Sequence, residues 1–67
     1  MTVNNFFKKF SDDFKGIHKF FVIDPSGCYD EFDNYSSVLV YYGDYDVVDI
    51  FSQLNLENES VLFIFTR

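Results

Sequence analysis

His18 and Cys28 are the sole residues of their types in this 67-residue chain. A thiolate beside an imidazole can act as a nucleophile, and the spacing could set the two across a hairpin. Such a pair also needs an orienting third group and an oxyanion site, so a strand histidine and a small structural thiol are the simpler reading. One Cys and one His cannot complete a four-ligand zinc site. Asp44, Asp46 and Asp49 form D-x-D-x-x-D, faintly like a calcium loop, but the central Gly and closing Glu are missing. Neither a phosphate-binding motif nor a cofactor motif is present, and catalytic and metal residues are expected to be none.

What remains is a mixture of Tyr and carboxylates. Tyr29, Asp30, Glu31, Asp33 and Tyr35 fall in one stretch, and Tyr42, Asp44, Tyr45, Asp46 and Asp49 in another. Tyrosine supplies wide amphipathic contact area and is enriched at interfaces. Carboxylates spaced along a face can imitate a phosphate backbone and take up basic side chains. These ten residues are the candidate partner-binding set.

The charge distribution sharpens that expectation. The formal charge is -6, yet residues 1–19 carry four Lys against two Asp. From Phe20 to Thr66 there are nine carboxylates and neither Lys nor Arg. Such a chain is expected not to bind nucleic acid directly; a basic protein surface is the natural partner. No apolar run approaches a membrane span, and no leader-like apolar segment opens the chain, so a cytoplasmic setting is expected. Residues encoded by AT-rich codons (Phe, Tyr, Met, Ile, Asn, Lys) make up 29 of the 67, and Ala is absent. That bias suits a low-GC bacterium, its phage or its plasmid.

These side chains must be positioned by a single small domain, residues 1–67. At this length one core is marginal, but ten Phe and five Tyr make it feasible. Val3, Phe7, Phe10 and Phe14 recur at helical spacing, which predicts a helix over Val3 to Lys15. Thr2 or Asn4 is its expected cap. Gly16 is its expected stop, and Lys8–Asp12 and Lys9–Asp13 are its expected ion pairs. Ile17 to Ile23 reads as a strand. Asp24-Pro25-Ser26-Gly27 has the preferences of a type I turn, and Cys28 to Phe32 returns as an exposed edge strand. Ser37 to Tyr42 reads as a third strand and Asp44 to Leu54 as a short helix begun by aspartates. Asn55 to Glu59 is a polar loop, and Ser60 to Thr66 the last strand. The expected fold is α+β: a small three- to four-stranded sheet with two helices, in the order α-β-β-β-α-β.

Both faces of these strands are apolar. Val61, Phe63 and Phe65 alternate with Leu62 and Ile64, and Phe20 and Val22 alternate with Phe21 and Ile23. Two helices could cover one face each. Otherwise an apolar face is left for self-association, including a homodimer, or for a partner.

In size, charge and Tyr/Asp content the chain is similar to small acidic inhibitors encoded by phages, including anti-CRISPR proteins and DNA mimics. That resemblance implies a non-enzymatic protein that blocks a nucleic-acid-binding host enzyme or defence complex. The alternative is a small structural or accessory subunit that docks through its apolar sheet face.

Overall fold

The computed structural model describes residues 1–10 and 14–67. The elements run α1 (Val3–Lys9), β1 (Lys19–Ile23), β2 (Tyr29–Phe32), α2 (Tyr35–Tyr42), β3 (Val47–Leu54) and β4 (Ser60–Thr66). The strands form one sheet in the order β2-β1-β4-β3. β1 and β4 are parallel at the centre, and each has an antiparallel partner at its outer side.

The element order is α-β-β-α-β-β, which corrects the expected α-β-β-β-α-β: the third strand and second helix exchange places. Residues 35–42 are apolar almost all round, so they satisfy a period of two and a period of 3.6 alike. The capping decides for helix. Asn34 accepts the Ser37 N–H at 2.9 Å, satisfying an otherwise orphaned donor. Val38 and Tyr42, four residues apart, are then both buried. Gly43 lets the helix end tightly, since a Cβ there would lie 2.6 Å from the Leu39 carbonyl oxygen.

The opposite misreading arises in residues 44–54. The β3–β4 pairing skips one residue between Val47 and Asp49, a bulge at Val48. Val47 and Ile50 therefore face the core together although three apart, a spacing that looks helical. Beyond the bulge the ordinary alternation resumes, and Val and Ile favour the pleated backbone over a helix.

Elsewhere the structure and the sequence agree more closely. Thr2 caps α1 by accepting from Asn5 N–H. α1 closes at Lys9 rather than running to Lys15, so Gly16 is not its stop. The expected Lys8–Asp12 and Lys9–Asp13 pairs lie outside the described residues. The β1–β2 turn closes through Gly27 N–H donating to Asp24 C=O at 3.0 Å. Asp24 Oδ1 also accepts from the Ser26 N–H, the Ser26 hydroxyl and the Cys28 N–H.

Both helices lie on one face of the sheet. Val3 and Phe7 of α1, Phe14, and Val38 and Tyr42 of α2 share a single core with Phe20, Val22, Leu62 and Ile64. Phe7 meets Phe14 edge-on at a ring separation of 4.6 Å and Phe20 at 5.7 Å. Among the described residues one helix per face is thus excluded; on the other side Phe21, Phe63 and Phe65 are half-buried, and Val61 is 3% exposed.

Candidate protein-binding surface

The strand register decides which carboxylates meet. Ile23 lies beside both Tyr29 and Phe65, and Phe65 lies beside Asp49. Asp24, Tyr29, Asp30 and Asp49 therefore share one end of the sheet, where the parallel strands β1 and β4 finish. The α2–β3 connection, with Asp44, Tyr45 and Asp46, ends there too. Its Asp46 exchanges two backbone hydrogen bonds with Arg67 (3.3 and 3.1 Å), and Thr2 forms a bridge to it. Tyr45 C=O accepts from Val3 N–H at 2.8 Å, fixing the connection against the start of α1.

Tyr42 organises this end. It is buried, and its hydroxyl donates to Asp30 Oδ2. That bond, burial and the nearby negative charge of Asp30 and Asp24 push its hydroxyl up to about 12. Tyr45 packs edge-on against the Tyr42 ring at 4.9 Å. Tyr42 was expected to touch a partner; its ring is enclosed, so it instead holds Asp30 in place. Asp44, Tyr45, Asp46 and Asp49 are exposed. Asp24 was not among the expected binding residues and joins them through the turn. Its carboxyl is held below the ordinary range, chiefly by the Ser26 hydroxyl bond.

Glu31, Asp33 and Tyr35 stand apart. Glu31 lies 2.6 Å from Lys19 Nζ and Asp33 3.9 Å from it. The Glu31 hydrogen bond and charge raise the Lys19 pKa. Tyr35 stacks on Phe7 at 5.7 Å and lines a groove of about 350 Å³ between the helices, with Asn4, Lys8 and Leu39. Beside β2, Asp30, Glu31, Phe32 and Tyr41 line a cleft of about 190 Å³, below the usual range for a small-molecule site of about 300–1,000 Å³.

The lysines fall away from the acidic end. Lys8 and Lys9 occupy the last turn of α1, Lys15 precedes β1 and Lys19 begins it. Arg67, hydrogen-bonded through its backbone to Asp46, puts one positive charge at the acidic end, where Asp24, Asp30, Asp44, Asp46 and Asp49 outnumber it. His18 and Cys28 are also separated, because the hairpin register sets one before Phe20↔Phe32 and the other beyond Ile23↔Tyr29. Among the described residues no cluster of three or more His, Cys, Asp or Glu could hold a metal ion. No described helix is long and apolar enough to cross a membrane.

The open side of the sheet carries a second feature that the sequence could not assemble. Phe63 stacks between Phe21 (5.1 Å, 14°) and Phe51 (5.0 Å, 16°). Phe65 lies 5.6 Å from Phe51, and Tyr29 6.1 Å from Phe21. Five rings thus form a ladder across all four strands. The alternating Phe residues of the last strand were the available signal; the register that joins them to Phe21 and Phe51 was not.

Comparison with known protein families, curated proteins and solved structures finds no match for this chain.

Proposed function

We propose that this protein is a binding module that occupies a basic protein surface, of the kind that otherwise holds nucleic acid, and so blocks it. The observation that supports this reading is the gathering of Asp24, Asp30, Asp44, Asp46 and Asp49 with Tyr29 and Tyr45 at the lysine-poor end of the sheet. Carboxylates held by a rigid sheet end and a fixed connection lose little freedom when they meet Arg or Lys. Their bonds to guanidinium groups are short and charge-assisted. The tyrosines add apolar contact area without adding flexible side chains. In the proposed contact set Asp24 takes the place of Tyr35, Glu31 and Asp33, and Tyr42 supports Asp30.

A competition assay tests it. Purified nucleic-acid-binding proteins are each loaded with a fluorescent duplex, and the chain is titrated in while anisotropy is followed. Displacement of the duplex from at least one of them is expected. Asn at Asp30, Asp44, Asp46 and Asp49 together should weaken displacement by at least about tenfold, mainly by slowing association. The paired change Glu31→Gln, Asp33→Asn at the other end should alter it far less. Equal displacement by both variants, or none from any protein tested, would overturn the reading.

A further inference from the structure

We infer that β2 is the docking edge for an extended, basic segment of the partner, which adds to the sheet as a further strand and lays an Arg or Lys side chain in the cleft beside Asp30, Phe32 and Tyr41. This rests on the proposed reading that the partner is basic, and it adds how that partner is held.

The two edges of the sheet are not equivalent. β3 lies at one and β2 at the other. The β3 edge is closed over its first half. Val47 N–H donates outward to Met1 C=O at 2.8 Å, and Thr2 bridges to Asp46. Ile50 N–H, which the register also turns outward, donates to Asp49 Oδ1 at 2.9 Å. The bulge at Val48 disturbs that edge further. β2 has no such cover among the described residues. Asp24 N–H donates to Cys28 C=O at 2.9 Å, and antiparallel pairing alternates from there. Asp30 and Phe32 therefore turn their backbone groups toward Val22 and Phe20 of β1, while Tyr29 and Glu31 turn theirs outward. An outward row of N–H and C=O groups is a template for another extended chain.

The cleft beside this edge selects the side chains. Its volume of about 190 Å³ is lined by Asp30, Glu31, Phe32 and Tyr41. That is small for a whole ligand but suits the end of one side chain. Phe32 and Tyr41 stack at 5.8 Å, and Tyr41 is 69% exposed, so its ring is accessible to a cation. Asp30 is anchored by the Tyr42 hydroxyl, and a carboxylate keeps further acceptor sites beyond one such bond. The Glu31 carboxylate is engaged by Lys19, which leaves Asp30 to carry the charge. A guanidinium or ammonium group in the cleft meets a fixed carboxylate and an aromatic ring together.

Charge disfavours the other occupants. A second copy of β2 would set Asp30 and Glu31 against themselves, in a chain of formal charge -6. Nucleic acid is repelled in the same way. A neutral strand gains the backbone bonds but leaves Asp30 without a countercharge.

A short, end-blocked peptide of alternating Arg and Val, added to the isotope-labelled full chain, provides the test. Amide shifts are expected at Tyr29–Phe32 and at Tyr41, with slowed hydrogen exchange at Tyr29 and Glu31. Methylating the backbone nitrogens of its Val residues, or of its Arg residues, keeps the charge. One of the two sets faces β2, and that version should bind at least about tenfold more weakly. Tyr41→Ala, at an exposed helix position, should weaken the unmodified peptide about threefold. Equal binding of both methylated versions, or shifts centred on Asp44–Asp49 with β2 unmoved, overturns the inference and leaves carboxylate docking in place. Absence of any β2 shift at about 1 mM peptide also overturns it; the broader reading falls only with the duplex-displacement assay.

Discussion

The two faces of this sheet are built from the same kinds of residue and meet different fates. On the covered face Phe20, Val22, Leu62 and Ile64 are each at most 5% exposed, beneath both helices. On the open face Phe21, Phe51, Phe63 and Phe65 stack on one another, and Phe51 remains 45% exposed. The difference lies in the connections. The chain leaves β2 at one edge, crosses as α2 and enters β3 at the other edge, while α1 packs beside α2. Both helices are thereby committed to one side. The covering helices enclose all four of Phe20, Val22, Leu62 and Ile64, whereas on the open face Val61 is buried but Phe51 is not.

The largest expected effect separates the faces by stability. Ile64→Ala on the covered face should cost about 3 kcal/mol, from lost transfer energy and the cavity left behind. Phe51→Ala on the open face should cost at most about 1 kcal/mol, because much of its ring is already in water. Urea unfolding of the two variants at low micromolar concentration measures both. Equal losses would mean that the open face is enclosed.

A smaller effect probes the acidic end. Tyr42→Phe removes the hydroxyl bond to Asp30 and should cost about 1 kcal/mol at neutral pH. The parent carries a matching pH signature. The folded state raises this hydroxyl to about 12 from an ordinary value near 10, so it holds the proton more tightly than the unfolded chain. The resulting stabilisation is whole below about pH 10 and is lost as pH rises toward about 12. The stability difference between parent and Tyr42→Phe should therefore shrink between about pH 9 and about pH 12. A constant difference over that range would show that the bond does not hold Asp30.

The covered face was more legible in the sequence than the surface at the strand ends. Ser60–Thr66 could be read directly, because a dense apolar run between polar flanks has few other uses. The β1–β2 turn was equally plain from Asp24-Pro25-Ser26-Gly27. The exchange of α2 and β3 was hidden for two local reasons. Val40 and Tyr41 are exposed yet apolar, so they erased the polar stripe that marks a helix. The bulge at Val48 disguised a strand as a helical repeat. That exchange moved Asp44, Asp46 and Asp49 from a helix start to a connection and an edge strand. Of the ten expected binding residues, Tyr29, Asp30, Asp44, Tyr45, Asp46 and Asp49 are nonetheless brought to one end. Charge patterning along the chain exposed that acidity, while the pairing of distant strands determined where it gathers. The aromatic ladder depends wholly on such pairing and could not be read from any one segment.

Solvent accessibility measured ring by ring tests the contrast between the faces most directly. In dilute solution a neutral gadolinium chelate broadens proton signals in proportion to their exposure. The structure predicts strong broadening of the Phe51 ring, intermediate broadening of Phe63 and Phe21, and near-complete protection of Phe20 and Phe7. Protection of Phe51 and Phe63 to the level of Phe20 would contradict the account, because the open face would then have a cover of its own.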